Sequence, residues 1–90
     1  MFSKSDLEYL KQHEEYTINQ ANYHDVTIHS MTSGHDWILV SNYEMPDCYI
    51  LHRHSRRDSY HRQQGRYKSL KEALDYIKRH DKWFTTEHFV

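Results

Sequence analysis

A chain of 90 residues with one cysteine and 37% apolar side chains is expected to form one small domain over residues 1–90, held by packing and not by disulfides. The longest apolar run, Trp37 to Val40, is far short of the roughly 20 residues that span a bilayer, and Met1 to Lys4 lacks the apolar segment of a secretory signal, so a cytoplasmic protein with no membrane partner is expected. The formal net charge of −1 conceals an asymmetry: Met1 to Asp25 sets two lysines against five acids, whereas His52 to Lys68 holds six of the twelve Lys and Arg residues with one acid, Asp58.

Ser5-Asp6-Leu7-Glu8 has the pattern of a capping box, in which a serine hydroxyl and a carboxylate three residues on satisfy each other's backbone amides. A helix is therefore expected from Ser5, carrying a narrow stripe of Leu7 and Leu10 and ending between Glu15 and Asn22. From Asp25 the pattern turns β-like. Val26 to Ser30 and His35 to Ser41, joined by a turn at Thr32-Ser33-Gly34, read as a hairpin. The segment 42–47, with Pro46, breaks the sheet before a third strand from Cys48 to His54, and Tyr60 to Tyr67 is expected as a polar fourth after a turn at Arg56 to Ser59. Leu70, Ala73, Leu74 and Ile77 repeat at i, i+3, i+4 and i+7 behind a second capping box, Ser69 with Glu72. They predict a C-terminal helix with Lys78, Arg79, His80 and Lys82 at the negative end of its dipole, near which it stops, and with Trp83-Phe84 folded back over the core. The fold class is thus α+β: a helix, a three- or four-stranded antiparallel sheet, and a C-terminal helix packed on one sheet face.

Two short phrases carry resemblances. The order helix, three strands, helix, with Ser69-Leu70-Lys71-Glu72-Ala73 opening the last helix, resembles the double-stranded-RNA-binding domain. The stretch from Trp37 to Ile77, with Gly65-Arg66-Tyr67-Lys68-Ser69-Leu70-Lys71-Glu72-Ala73 at its sheet-to-helix junction, is similar in plan to AP2-like DNA-binding domains. Either resemblance implies contact with nucleic acid.

Chemistry concentrates in the basic stretch. With a four-residue turn at 56–59, Arg53 would face Arg62, His54 would face His61 and His52 would face Gln63. One face would then show Arg53, Arg62, Gln64 and Arg66, the other His52, His54, His61 and Gln63. Facing guanidinium groups repel one another unless an anion lies across both, and guanidinium binds phosphate or carboxylate bidentately. Arg53, Arg56, Arg57, Arg62, Arg66 and Lys68 are accordingly the expected contacts to phosphate or to an acidic surface, with Tyr60 and Tyr67 placed to stack on bases. With no partner, the same run is an ordinary solvated face. His52, His54 and His61 could converge on a metal in that register, but no metal or other cofactor is expected. The histidines would then serve as a charge reservoir, making the hairpin more positive in mild acid.

Cys48 opens an apolar strand and reads as a small buried residue, no serine sits in a nucleophile elbow, and two glycines cannot build a phosphate-cradling loop. No enzyme is expected. The sequence therefore reads as a non-enzymatic module docking a basic hairpin on nucleic acid. The alternative is a protein–protein module binding an acidic surface, as in a small phage or mobile-element inhibitor of a host nucleic-acid-processing protein.

Overall fold

The computed structural model describes residues 1–44, 47–63 and 65–88, with backbone alone for Glu87 and His88. The break expected at Pro46 and the position of Gln64 fall outside the described residues. The elements are α1 (Lys4–Lys11), β1 (Tyr16–Ala21), β2 (Asp25–Ser30), β3 (Asp36–Val40), β4 (Tyr49–Arg53), β5 (His61–Arg62) and α2 (Leu70–His88). The class is α+β as expected, but the antiparallel sheet has five strands in the order β1-β2-β3-β4-β5, a meander in which each strand pairs with its neighbour in sequence. Five strands depart from the three-stranded plan of both resemblances. Among the described residues no helix is long and apolar enough to cross a membrane.

The first helix starts two residues earlier than expected. Ser3, not Ser5, is the N-cap: its Oγ accepts from the Asp6 amide at 3.1 Å, and Asp6 Oδ2 accepts from the Ser3 amide at 2.8 Å. Two overlapping boxes compete here, and anchoring of the chain start selects the first. The Phe2 amide donates to the Tyr23 carbonyl at 2.8 Å, and Phe2 is buried beside Leu10, with Leu7 packed against the same cluster. Phe2 and Leu7 occupy the two positions of a hydrophobic staple around Ser3.

The helix closes at Lys11 because Tyr16 is drawn into the core, and residues 16–21 form a strand where the sequence left a helix extension open. That strand lies at the sheet edge with most of its side chains exposed, so it has no clean alternation, and its register shifts between Ile18 and Gln20. β2 and β3 form the expected hairpin, with Gly34 at φ +78° in the connection. β4 falls inside the expected span, while the fourth predicted strand shrinks to His61–Arg62 and one isolated bridge from Tyr67 to Cys48.

Alternation on β2, β3 and β4 turns Val26, Ile28, Trp37, Leu39 and Ile50 to one face, where α2 covers them with Leu70, Ala73, Leu74 and Ile77. The cap of α2 is the expected Ser69, whose Oγ accepts from the Glu72 amide, although the Glu72 carboxylate reaches one residue further back, to the Lys68 amide. The helix does not stop near Lys82. It runs to His88 because its inward-facing stripe continues past Ile77 through half-buried His80, buried Asp81 and half-buried Phe84, so Lys78, Arg79 and Lys82 lie within the helix and not at its negative end. Phe84 meets the sheet from within α2, 4.3 Å from the His35 ring, while Trp83 is 53% exposed.

Candidate functional site

β5 pairs with β4 through Leu51 opposite Arg62 and His52 opposite His61. Each partner differs by two residues from the register expected for a four-residue turn. The reason lies in the connection: Ser55 closes a turn by accepting from the Asp58 and Arg57 amides, but Ser59 and Tyr60 then return unpaired, so the loop covers 54–60. A slip of two keeps every side chain on its expected face, and the arginines and histidines still point to opposite sides of the sheet.

On the outer face the arginines do not stack their charges. Arg53 lies opposite Asp36 on β3, and its Nε donates to Asp36 Oδ2 at 2.8 Å, while His29 Nδ1 from β2 donates to Asp36 Oδ1 at 2.7 Å. Burial alone would raise the Asp36 carboxyl, but these two donors hold it below its ordinary range. The Arg53 guanidinium lies 4.5 Å from the Tyr60 ring centre, and that of Arg62 lies 4.5 Å from Tyr49. Arg53 and Tyr60 thus form one structural unit with Asp36. Tyr67 is also engaged: its backbone pairs with Cys48, and its ring packs 5.4 Å from Tyr76 at the core rim.

Arg56, Arg57, Arg62, Arg66 and Lys68 remain exposed, and none forms an ion pair with an acid among the described residues. Arg62 and Arg66, with Gln63 and Gly65, line an open concavity of about 430 Å³ beside β5. Of the eight residues singled out from the sequence, the structure leaves these five cations facing solvent and commits Arg53, Tyr60 and Tyr67 to internal contacts.

The inner face of the same strands carries a second constellation. His52 is 1% exposed and stacks on the Trp37 indole at 3.9 Å, and its Nε2 shares a hydrogen bond of 2.9 Å with Nδ1 of His35, which is 2% exposed. His80 approaches from α2, its ring centre 4.8 Å from that of His52. His54 stacks on His35 at 4.5 Å, and His61 meets His52 edge-on at 5.4 Å; both are exposed. Burial, reinforced by the neighbouring imidazoles, lowers His35 to about 4 and His52 to about 3, and burial also lowers His80. His52 is therefore neutral at pH 6 and adds nothing to a charge reservoir.

His35 and His80 were not singled out from the sequence. The signal available was apolar periodicity: His80 follows Ala73 and Ile77 at i+7 and i+3 and is half-buried, and His35 sits two residues before Trp37 and is buried, so both continue inward-facing stripes. Compared with protein-family models, curated protein sequences and solved structures, the chain gives no match.

Proposed function

We propose that the β4–β5 edge is a docking surface for nucleic acid, held through its phosphates. The observation that carries this reading is the set of five exposed cations, Arg56, Arg57, Arg62, Arg66 and Lys68, without acid partners among the described residues, two of them flanking a concavity. Guanidinium groups in such a setting bind phosphate bidentately, and a cationic groove follows a backbone without reading bases. Because Tyr60 and Tyr67 are engaged internally, stacking is not assigned to them, and binding is expected to be tolerant of sequence.

Fluorescence anisotropy with short single-stranded and duplex oligonucleotides across a salt series tests this. Log affinity should fall linearly with log salt, with a slope of about −0.7 per phosphate contacted on single strands or −0.9 on duplex. The double substitution Arg56→Glu, Arg57→Glu, at an exposed loop, should leave melting within about 0.5 kcal/mol of the parent while weakening binding to all sequences alike and flattening the slope by roughly one for each phosphate no longer neutralised. Undiminished binding by this variant would refute the assignment, and a lack of binding to any oligonucleotide would transfer the surface to an acidic protein partner.

A further inference from the structure

Among the described residues, one ligand nitrogen from each of His35, His52 and His80 lies within 4.8 Å of the other two. The three come from separate elements: the residue leading into β3, the middle of β4, and α2. Trp37 and Phe84 wall the cluster, and the exposed imidazoles of His54 and His61 flank it toward solvent.

We propose that His35, His52 and His80 form a binding site for one transition-metal ion of the Zn²⁺ class. Ligand chemistry narrows the choice of metal. Three imidazole nitrogens with no carboxylate in the set do not suit Ca²⁺ or Mg²⁺, which take oxygen ligands, and suit Zn²⁺, Co²⁺, Ni²⁺ or Cu²⁺. Spacing is compatible, because bonds of about 2.0–2.1 Å in tetrahedral geometry place ligand nitrogens about 3.3 Å apart. The His35–His52 pair, at 2.9 Å, opens slightly, and the widest separation, at most 4.8 Å, closes by rotation of the rings.

An independent observation points to the same place. His80 Nδ1 is buried and has no hydrogen-bond partner among the described residues, a loss that a coordinated ion repairs. Imidazole ligates through the lone pair of a neutral ring, which each of the three side chains can supply from one nitrogen. Whichever ring donates in the His35–His52 hydrogen bond moves that proton to its other nitrogen when the metal binds, so no net proton is released. This site is distinct from the arginine edge, and its failure would leave the docking proposal untouched.

The test uses protein freed of metal by chelator dialysis and titrated with Co²⁺, then Zn²⁺. One Co²⁺ per chain should bind with visible d–d absorption, Zn²⁺ should displace it, and either ion should raise the melting temperature. His80→Gln should lose affinity by roughly tenfold or more, while His54→Gln and His61→Gln should retain it. Absence of saturable binding, or a loss in His54→Gln or His61→Gln as large as in His80→Gln, would overturn the proposal. Should His80→Gln fail to fold, imidazole ¹⁵N resonances of the unsubstituted protein decide. Zn²⁺-induced shifts at His35, His52 and His80 support the site, and shifts confined to His54 and His61 refute it.

Discussion

Replacing Asp81 with alanine should cost about 3 kcal/mol, a large part of the stability of a domain this size. Asp81 is 4% exposed on α2 and accepts three hydroxyl hydrogen bonds: from Ser30 at 2.7 Å, from Ser33 at 2.8 Å and from Tyr16 at 3.4 Å. The Ser30 bond dominates because Ser30 is fully buried, and once the carboxylate is gone its hydroxyl has, among the described residues, only the neutral Thr32 Oγ1, 3.0 Å away, to donate to. A charge-assisted bond of this kind contributes about 1.5–3 kcal/mol. Ser33 is only half-buried and recovers solvent, which leaves about 1 kcal/mol, and the Tyr16 bond is near the length limit and adds little. Relief from burying a carboxylate offsets part of the total.

At about 4–8 °C per kcal/mol, the expected drop in melting temperature is roughly 12–24 °C by calorimetry. Tyr16→Phe should stay within about 1 kcal/mol of the parent, and Asp81→Asn, which keeps one acceptor oxygen, should fall between the two. An Asp81→Ala variant melting within about 4 °C of the parent would show that desolvation of the carboxylate cancels its bonds and that the lock is energetically idle.

Cys48 supplies a prediction on the alkaline side. Burial pushes its thiol up to about 12, so the unfolded chain ionises first, and stability present below the unfolded value is lost as pH rises from about 9 toward 12. Cys48→Ala should show a shallower fall in melting temperature between pH 8 and 11 than the parent, and identical slopes would contradict this linkage. The same burial predicts that iodoacetamide labels Cys48 in the native protein at pH 8 no faster than the chain opens; labelling at the rate of a free thiol would show the site is open.

Periodicity made the inner layer legible. The spacing of Leu70, Ala73, Leu74 and Ile77 located α2 and its buried face, and the β2–β3 hairpin followed from two short β-rich runs around Gly34. β1 was illegible because an edge strand with solvent on most of its side chains carries no alternation for a pattern to detect. The cap at Ser3 depended on Phe2 being held by the Tyr23 carbonyl, a contact between residues far apart in sequence. Of the candidate site, the five exposed cations were readable from charge density alone. The capture of Arg53 by Asp36 was not, because it depends on which residues β3 and β4 place opposite one another. The histidine trio was hidden for a similar reason: local spacing favours His52, His54 and His61, whereas the β3–β4 pairing brings His35 to His52 and packing of α2 adds His80.

The match between strand order and chain order has a kinetic consequence. Every sheet pairing joins neighbours in sequence, so β1 through β5 can zip hairpin by hairpin with small loop-closure costs, a low-contact-order route that favours fast assembly. Docking of α2 is the opposite case, since Asp81 reaches partners 48, 51 and 65 residues away. On the ribosome α2 follows all five strands, and at about 5–20 residues per second the meander waits on the order of seconds for its cover. During that interval the part of the inner face that α2 later covers would be bare apolar sheet, prone to sticking to other nascent chains. Ser30, His35 and His52 interrupt that face with polar groups, lowering its adhesiveness before the helix arrives.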